Sequence, residues 1–407
     1  MQSFVGPPDK ASLKRVIVAL IAQELEKFRG ATVPFTQWRD WTDDTQLTSD
    51  GLGFDSLGLL QVAGRTNQFF EMHKVGIEDY LLARPTIGAW VDLVAQALSM
   101  RWEHLTFQTA GSTGEPKPCG HPVTDLDDDA ATIGQVFDGV ERVVSLVPPQ
   151  HIYGFIYTVR LPQLFGIELI DGRTMGPGQL AKALGEGALL VATPHLWRYA
   201  LTSLGHFPDG TMGLTSTAPM PAELHNALCQ SGITQLVEVY GSSETNGIGW
   251  RDTPDAFFKL FDWWQADEAN GQLLRHQKDG STIGHTFIDK LALDGSRHIK
   301  PIGRLDNAIQ IGGLNVFPLQ VRDAISAVDG VAEVTVRPFR VDGPETQRLK
   351  AFIVPAGPLD SSELELTIRS VVSQTLAAHE MPVQFAFGEE LPTDGQGKLC
   401  DWGPSTT

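Results

Sequence analysis

The first hundred residues show the spacing of apolar and polar side chains that is typical of amphipathic helices. Residues 11–28 place apolar side chains at every third or fourth position, which predicts one helix. A second helical pattern begins at Phe54, and a third follows Thr86, its predicted N-cap. We therefore expect an all-α bundle over residues 1–100.

The pattern changes after residue 104. Short apolar runs at 143–147 and 189–192 alternate with helical stretches such as 221–230. Such alternation predicts buried strands joined by crossover helices. We assign residues 101–304 to an α/β core.

A third pattern begins near residue 305. Apolar residues alternate over 331–337, an apolar run follows at 349–354, and residues 363–376 have amphipathic helical spacing. This order predicts a small α+β domain over residues 305–407.

Composition and charge limit the classes of function. The chain has 407 residues, 42% of them hydrophobic, and a formal net charge of −18. The length suggests about two or three domains, and the charge argues against nucleic-acid and anionic-membrane partners. Three widely spaced cysteines, Cys119, Cys229 and Cys400, favour a reduced compartment. With no apolar signal segment or membrane span in the sequence, we expect a cytoplasmic protein.

Residues 109–117 form a glycine- and hydroxyl-rich run that ends in Lys117. Small residues let backbone N–H groups approach an anion, and the hydroxyls and the lysine add further donors. This chemistry suits a triphosphate, although the spacing differs from that of the P-loop. Taken alone, the run also fits an ordinary turn.

Three later motifs carry related chemistry. Residues 237–245 predict a strand that ends in a glycine turn and presents Glu244, an oxygen ligand suited to Mg²⁺. Asp289 and Arg304 could bind ribose and phosphate oxygens, and Lys398 lies on a glycine-rich turn. Each also has a simple alternative: a solvated acid, a surface ion pair and an exposed lysine.

The four motifs, in this order, resemble the adenylate-forming superfamily over roughly residues 104–400. That superfamily includes acyl- and aryl-CoA ligases, peptide-synthetase adenylation domains and luciferase-like enzymes. The resemblance implies ATP, Mg²⁺, and CoA or phosphopantetheine as cofactors, and a small carboxylic acid as substrate. It also implies that the α/β core is adenylating, with a truncated N-terminal subdomain, and that the C-terminal domain is mobile.

The resemblance implies a role for each matching residue. The residues expected to hold the β- and γ-phosphates are Thr109, Ser112, Thr113, Gly114 and Lys117. Those expected around adenine, ribose and the α-phosphate are Tyr240, Gly241, Ser243, Asp289 and Arg304.

The resemblance also implies residues for the chemistry and for domain movement. Glu244 would ligate Mg²⁺, His151 would gate the acyl pocket, and Lys398 would bridge the carboxylate and the α-phosphate. Asp306 matches the hinge, and Gly313 matches a glycine of the pantetheine tunnel.

Residues 52–57 resemble the phosphopantetheine attachment motif of acyl carrier proteins, with Ser56 as the modified residue. The helices around this motif resemble the rest of that fold, so a phosphopantetheinyl transferase would be a partner. The alternative is that Asp55 or Ser56 only caps a helix.

The sequence therefore predicts an acid–thiol ligase that forms an acyl-adenylate and then a thioester with CoA or a carrier. The short N-terminus resembles that of compact aryl-CoA ligases, including the branch that activates 4-coumarate for photoactive yellow protein. An aromatic acid such as a hydroxycinnamate or hydroxybenzoate is the expected substrate. Alternatives are a fatty or β-hydroxy acid loaded onto Ser56, or a non-catalytic nucleotide-binding docking protein.

Overall fold

A computed structural model describes residues 5–30, 33–109, 117–267, 270, 272–285, 289–304, 308–312, 314–341, 347–357, 360–392 and 401–402. The side chains at 35, 36, 109, 303, 304 and 315 are outside this description. The chain divides into two compact units. Unit 1 comprises Met1–Thr109, Pro116–Gly284 and Leu293–Ile299, and unit 2 comprises Ala110–Glu115, His285–Ala292 and Lys300–Thr407.

Helices occur in both units. The α-helices are α1 (Lys10–Arg29), α2 (Phe35–Trp38), α3 (Ser56–Phe70), α4 (Tyr80–Ala83), α5 (Ile87–Met100), α6 (Val123–Gly134), α7 (Ile152–Phe155), α8 (Leu161–Phe165), α9 (Pro177–Ala183), α10 (Pro194–Leu204), α11 (Ala222–Gln230), α12 (Pro318–Ser326) and α13 (Ser361–Val372). Short 3₁₀ turns occur at Met72–Lys74 and Gly172–Thr174, and a π-helical segment, Ile156–Arg160, joins α7 to α8.

Strands also occur in both units. They are β1 (His104–Thr109), β2 (Lys117–Pro122), β3 (Arg142–Ser145), β4 (Glu168–Asp171), β5 (Ala188–Val191), β6 (Thr211–Thr215), β7 (Ile233–Ser242), β8 (Asn246–Arg251), β9 (Phe258–Leu260), β10 (Trp264–Asp267), β11 (Gln272–His276), β12 (Thr282–His285), β13 (Asp289–Asp294), β14 (His298–Arg304), β15 (Ile309–Ile311), β16 (Leu314–Val316), β17 (Val331–Arg340), β18 (Gln347–Pro355) and β19 (Gln384–Phe387).

Helices α1, α3 and α5 pack on one another and confirm that residues 1–100 are largely helical. Thr86 caps α5 as predicted, because its hydroxyl accepts from the Ala89 N–H at 3.3 Å. Helix α1 is also fixed to the α/β part of unit 1. Arg15 Nε lies 3.4 Å from Asp171 Oδ2, and Arg15 Nη1 donates to the Thr158 carbonyl at 3.2 Å.

The main sheet of unit 1 contains parallel strands in the order β7-β6-β5-β3-β4, and β8 and β9 continue it in antiparallel fashion beyond β7. The apolar runs predicted as strands are β3 and β5, and both are buried. Side chains of β5 and β7 pack with α10, where Trp197 is fully buried. Loops at the carboxyl ends of such parallel strands commonly hold ligands.

Unit 2 contains the sheet β17-β18-β19, in which β17 and β18 are antiparallel and β18 and β19 are parallel. Helices α12 and α13 contribute Val321, Ile325 and Ile368 to its core, where they meet Leu349 and Ile353 of β18. The predicted α+β pattern is confirmed. Helix α13 ends at Val372, earlier than the apolar spacing suggests.

Within the residues that the structure describes, we found no helix with the length and apolar character needed to cross a membrane.

Candidate active site

The turn between β7 and β8 presents Glu244 to solvent. The Ser242 hydroxyl accepts from the Glu244 N–H at 3.2 Å, and the Thr245 hydroxyl accepts from the Ser242 N–H at 3.2 Å. Thr245 is buried whereas Glu244 is exposed, so the turn is fixed beneath an accessible carboxylate. The predicted arrangement of a strand followed by a turn is confirmed.

The buried side chains of His121 and Arg275 hold the backbone of this turn. His121 on β2 donates through Nε2 to the Ser243 carbonyl at 2.7 Å. Burial is the main cause that lowers the His121 pKa, so the imidazole is neutral and carries its proton on Nε2. Arg275 on β11 donates to the Thr245 carbonyl at 3.1 Å and to Asp125 Oδ2 at 2.7 Å. The turn is therefore tied to β2, α6 and β11.

The backbone of Gly247, just after the turn, is hydrogen-bonded through both its N–H and its carbonyl. Its N–H donates to Asp129 Oδ2 at 2.6 Å, and its carbonyl accepts from Trp264 Nε1 at 3.0 Å. Asp129 is fully buried, and burial raises its pKa well above the usual carboxyl range. Burial thus favours the protonated, uncharged form of this carboxyl.

Strands β1 and β2 flank the predicted phosphate loop. They are antiparallel, and Thr109 is paired directly with Lys117, which is exposed. Ser112, Thr113 and Gly114 lie outside the described residues. Because His121 of β2 bonds to the Ser243 carbonyl, the strand that begins at Lys117 lies against the Glu244 turn.

Glu244 also acts electrostatically on β2. The pKa of the half-buried Cys119 thiol is raised, first by burial and then by the negative charge of Glu244, with Lys117 opposing the shift. No described residue forms an ion pair with the Glu244 carboxylate. An accessible, unpaired carboxylate fits Mg²⁺, which is commonly held by one or two carboxylates together with phosphates and water.

The other residues expected near adenine lie beside this turn. Tyr240 is half-buried, and its ring centroid is 5.4 Å from that of Phe258. Gly241 pairs with Gly247 across the hairpin, and a Cβ at Gly241 would lie 2.2 Å from a backbone oxygen of Asn246. Only glycine allows this close approach of the two strands.

His151 follows β3 and immediately precedes α7. Its side chain is exposed to solvent, and the pKa of the ring is lowered to about 4, first by the desolvation that the surrounding protein causes and then by the charge of Arg65. Gly154 lets the preceding loop pack on α7, since a Cβ there would lie 2.0 Å from the Pro148 carbonyl oxygen.

The remaining predicted residues lie elsewhere or are not described. Asp289 begins β13 in unit 2, and Arg304 ends β14 with its side chain outside the description. Asp306, Gly313 and Lys398 lie outside the described residues. Ser56 is exposed at the first residue of α3, where the Asp55 carboxylate caps the helix by accepting from the Gly58 N–H at 2.7 Å.

Sequence patterns alone did not predict the side chains that hold the Glu244 turn. These are His121, Asp129, Trp264 and Arg275. Burial of such groups calls for hydrogen-bond partners, but the sequence does not show which of them are buried, since α6 carries Asp125, Asp127 and Asp128 beside Asp129. The partners of His121 and Asp129 also lie more than a hundred residues away.

Comparison with known families agrees with this geometry. Residues 105–272 match the AMP-binding enzyme family, and residues 320–398 match the AMP-binding enzyme C-terminal domain. A 4-coumarate–CoA ligase of Rhodobacter capsulatus is 36% identical over 402 residues, which cover 96% of this chain and 100% of the relative. One from Halorhodospira halophila is 36% identical over 386 residues, which cover 95% of this chain and 97% of the relative.

Solved structures support the fold. An o-succinylbenzoate CoA synthetase of Bacillus subtilis aligns with a TM-score of 0.57 at 16% identity, covering 72% of this chain and 67% of that one. A malonyl-CoA ligase aligns with a TM-score of 0.54 at 19% identity, covering 71% of each chain. The chain belongs to the AMP-forming acyl- and aryl-CoA ligases of the adenylate-forming superfamily, and it is an ATP-dependent acid–CoA ligase.

Proposed function

We propose that the acid is aromatic and resembles 4-coumarate or a hydroxybenzoate. The observation that carries this proposal is the full-length match to 4-coumarate–CoA ligases, which extends through the short helical N-terminus. The exposed ring of His151 is consistent with a place at the acyl pocket. Its lowered pKa, about 4, leaves the ring uncharged at neutral pH, which suits a planar, largely apolar substrate.

The nucleotide would be held by the motif residues in the roles given above. The residues that would bind the β- and γ-phosphates are Thr109, Ser112, Thr113, Gly114 and Lys117. Those that would bind the nucleoside and the α-phosphate are Tyr240, Gly241, Ser243, Asp289 and Arg304. Mg²⁺ bound by Glu244 would neutralise phosphate charge. The bonds to Ser243 and Thr245 support a fixed position for that carboxylate before ATP arrives.

The reaction would proceed in two steps. A carboxylate oxygen attacks the α-phosphorus of ATP, the bond to pyrophosphate breaks, and an acyl-AMP forms while Lys398 bridges the two reacting groups. The thiol of CoA then loses its proton and attacks the acyl carbon, and AMP leaves. Asp306 as the hinge and Gly313 in the pantetheine tunnel would serve the second step, and these assignments stay predictions.

We also propose that helices α1, α3 and α5 have a structural role and do not carry a phosphopantetheine. Two observations support this: Asp55 caps α3, and Arg15 fixes α1 to Asp171 and Thr158. The cap gives the residues around Ser56 a structural reason, and the Arg15 bonds oppose the movement that a carrier needs to deliver its prosthetic group. The division into domains at 1–100, 101–304 and 305–407, and a cytoplasmic location, stay predictions.

The carrier hypothesis is tested by mass. The protein is incubated with CoA and a phosphopantetheinyl transferase, and its intact mass is measured beside that of Ser56→Ala. We expect no gain in either protein. A gain of one phosphopantetheine in the wild type alone would instead support a carrier at Ser56.

The substrate proposal is tested by ATP–pyrophosphate exchange with hydroxycinnamates, hydroxybenzoates, fatty acids and amino acids. Lys398→Ala serves as the inactive control. We expect exchange with a hydroxycinnamate or hydroxybenzoate. Exchange with fatty or β-hydroxy acids alone would overturn the substrate class, and silence with every acid despite ATP binding would favour a docking protein.

A further inference from the structure

Arg65 of α3 is a buried cation for which the described part of the chain provides no counter-ion. Its side chain is 7% exposed, and its Nη1 donates to Gln68 Oε1 at 3.3 Å. Its Nε is buried with no hydrogen-bond partner, and no described carboxylate forms an ion pair with it. Glu24 is near enough to act on its pKa, but that carboxylate is paired with Lys27 at 2.6 Å. Burial of an unpaired charge is costly.

The face of α3 that carries Arg65 lies against two elements of the active site. Gln68 Oε1 also accepts from Gln108 Nε2 at 3.0 Å, and Gln108 stands near the end of β1, just before the predicted phosphate loop. Phe69, four residues after Arg65, packs on Phe107 of β1 and Phe155 of α7, with ring centroids 5.0 and 6.0 Å apart. Residues three and four apart share one helix face.

Arg65 also acts on His151. Its positive charge helps to lower the pKa of the exposed His151 ring. The neighbouring Gln150 is buried, and its Oε1 has no hydrogen-bond partner among the described residues. Arg65 therefore lies on a helix face that packs on β1, which ends at Thr109, and on α7, which His151 precedes.

We propose that Arg65 binds an oxyanion of the substrates, supplied by the carboxylate of the acid or by the polyphosphate of ATP. A guanidinium presents two parallel donors that match a carboxylate or phosphate, and it keeps its charge when buried. The substrate would supply the missing counter-ion. Helix α3 thereby contributes to the active site, a role separate from attachment at Ser56. The proposal rests on the proposed function for the choice of acid, for the phosphate loop and for the role of His151 at the acyl pocket.

The test compares charged ligands with uncharged analogues of the same shape. Inhibition of exchange by a carboxylate inhibitor, cinnamate, is compared with inhibition by cinnamide, and binding of ATP is compared with that of adenosine. In Arg65→Met we expect the preference for one charged ligand to fall about tenfold to a hundredfold, the range for loss of a charge-assisted hydrogen bond. A purely structural role would weaken charged and uncharged ligands equally.

Arg142→Met is the matched control. Arg142 is half-buried and donates to the Ala183 and Leu184 carbonyls at 2.9 and 3.3 Å, at the start of β3. This variant reports the general effect of losing a packed arginine, and both charge preferences should survive in it.

The outcomes separate the sources. A lost preference for cinnamate identifies the carboxylate, a lost preference for ATP identifies the polyphosphate, and two retained preferences overturn the inference. If Arg65→Met fails to fold, Arg65→Lys and Arg65→Gln replace it. We expect Arg65→Lys to keep the preference for the charged ligand and Arg65→Gln to lose it. Equal preferences in the two variants would overturn the inference. If the wild type is inactive with 4-coumarate, only the substrate proposal is wrong. The comparison is then repeated with the acid that supports exchange and with the amide of that acid.

Discussion

The buried carboxyl of Asp129 gives a prediction about stability that follows directly from the structure. Asp129 is fully buried, accepts from the Gly247 N–H at 2.6 Å, and has a pKa raised well above its ordinary 3.8, chiefly by burial. The folded protein therefore holds a proton that the unfolded chain releases. Asparagine has nearly the same shape and is uncharged at every pH, so Asp129→Asn should fold and keep the bond to Gly247.

The sign of the pH dependence follows from this raised pKa. The contribution of the proton is fully present below the unfolded pKa near 3.8 and is lost as pH rises towards the folded value. Over that window one proton is released on unfolding, so the wild-type unfolding equilibrium constant rises about tenfold for each pH unit relative to the asparagine variant. Asp129→Asn should thus gain stability over the wild type as pH increases.

Urea unfolding of both proteins between about pH 5 and pH 7 measures this difference, with tryptophan fluorescence as the signal. Asp129→Ala is the control: it leaves the Gly247 N–H unpaired and should be less stable by about 1–3 kcal/mol at the low-pH end. Parallel pH curves for the wild type and Asp129→Asn would refute the conclusion that this carboxyl is protonated in the folded protein.

Three further predictions concern the Glu244 turn. Glu244→Gln should lower pyrophosphate exchange by about 10²–10³-fold, because a charge-stabilising contact is lost. The melting temperature should not change, since the side chain is exposed. A loss of stability that accounts for the lost exchange would contradict a role in binding the phosphates. Arg275→Met leaves the largely buried Asp125 unpaired and should lower the free energy of unfolding in urea by about 3–5 kcal/mol. A loss below about 1 kcal/mol, as for a surface ion pair, would show that this pair does not stabilise the fold. Gly241→Ala should reduce exchange at least about tenfold, because a Cβ there would lie 2.2 Å from a backbone oxygen and about 1–3 kcal/mol of strain is expected. The control Gly178→Ala should be neutral, since nothing lies within 4 Å of its added Cβ. Equal activities of the two variants would argue against a tight hairpin.

The sequence was most informative where local periodicity decides the structure. Spacing over residues 11–28 predicted α1, which runs over Lys10–Arg29, and Thr86 was predicted correctly as the cap of α5. The Glu244 turn was also predictable, since a glycine and hydroxyl residues after an apolar strand favour a turn.

Contacts between distant residues could not be predicted in the same way. The bond between Arg275 and Asp125 joins residues 150 positions apart, and no spacing pattern indicates such a pair. Arg65 was missed for another reason: helical spacing places a polar residue on the surface by default. Its burial depends on the packing of α3 against β1 and α7, which only the tertiary structure shows.

The most direct test of the account is a product analysis with purified protein, 4-coumarate, ATP, Mg²⁺ and CoA. We predict equal amounts of AMP, pyrophosphate and the CoA thioester, and none of them with Lys398→Ala. Thioester formed together with ADP and phosphate, or thioester formed equally well by Lys398→Ala, would contradict an acyl-adenylate mechanism in which this lysine takes part.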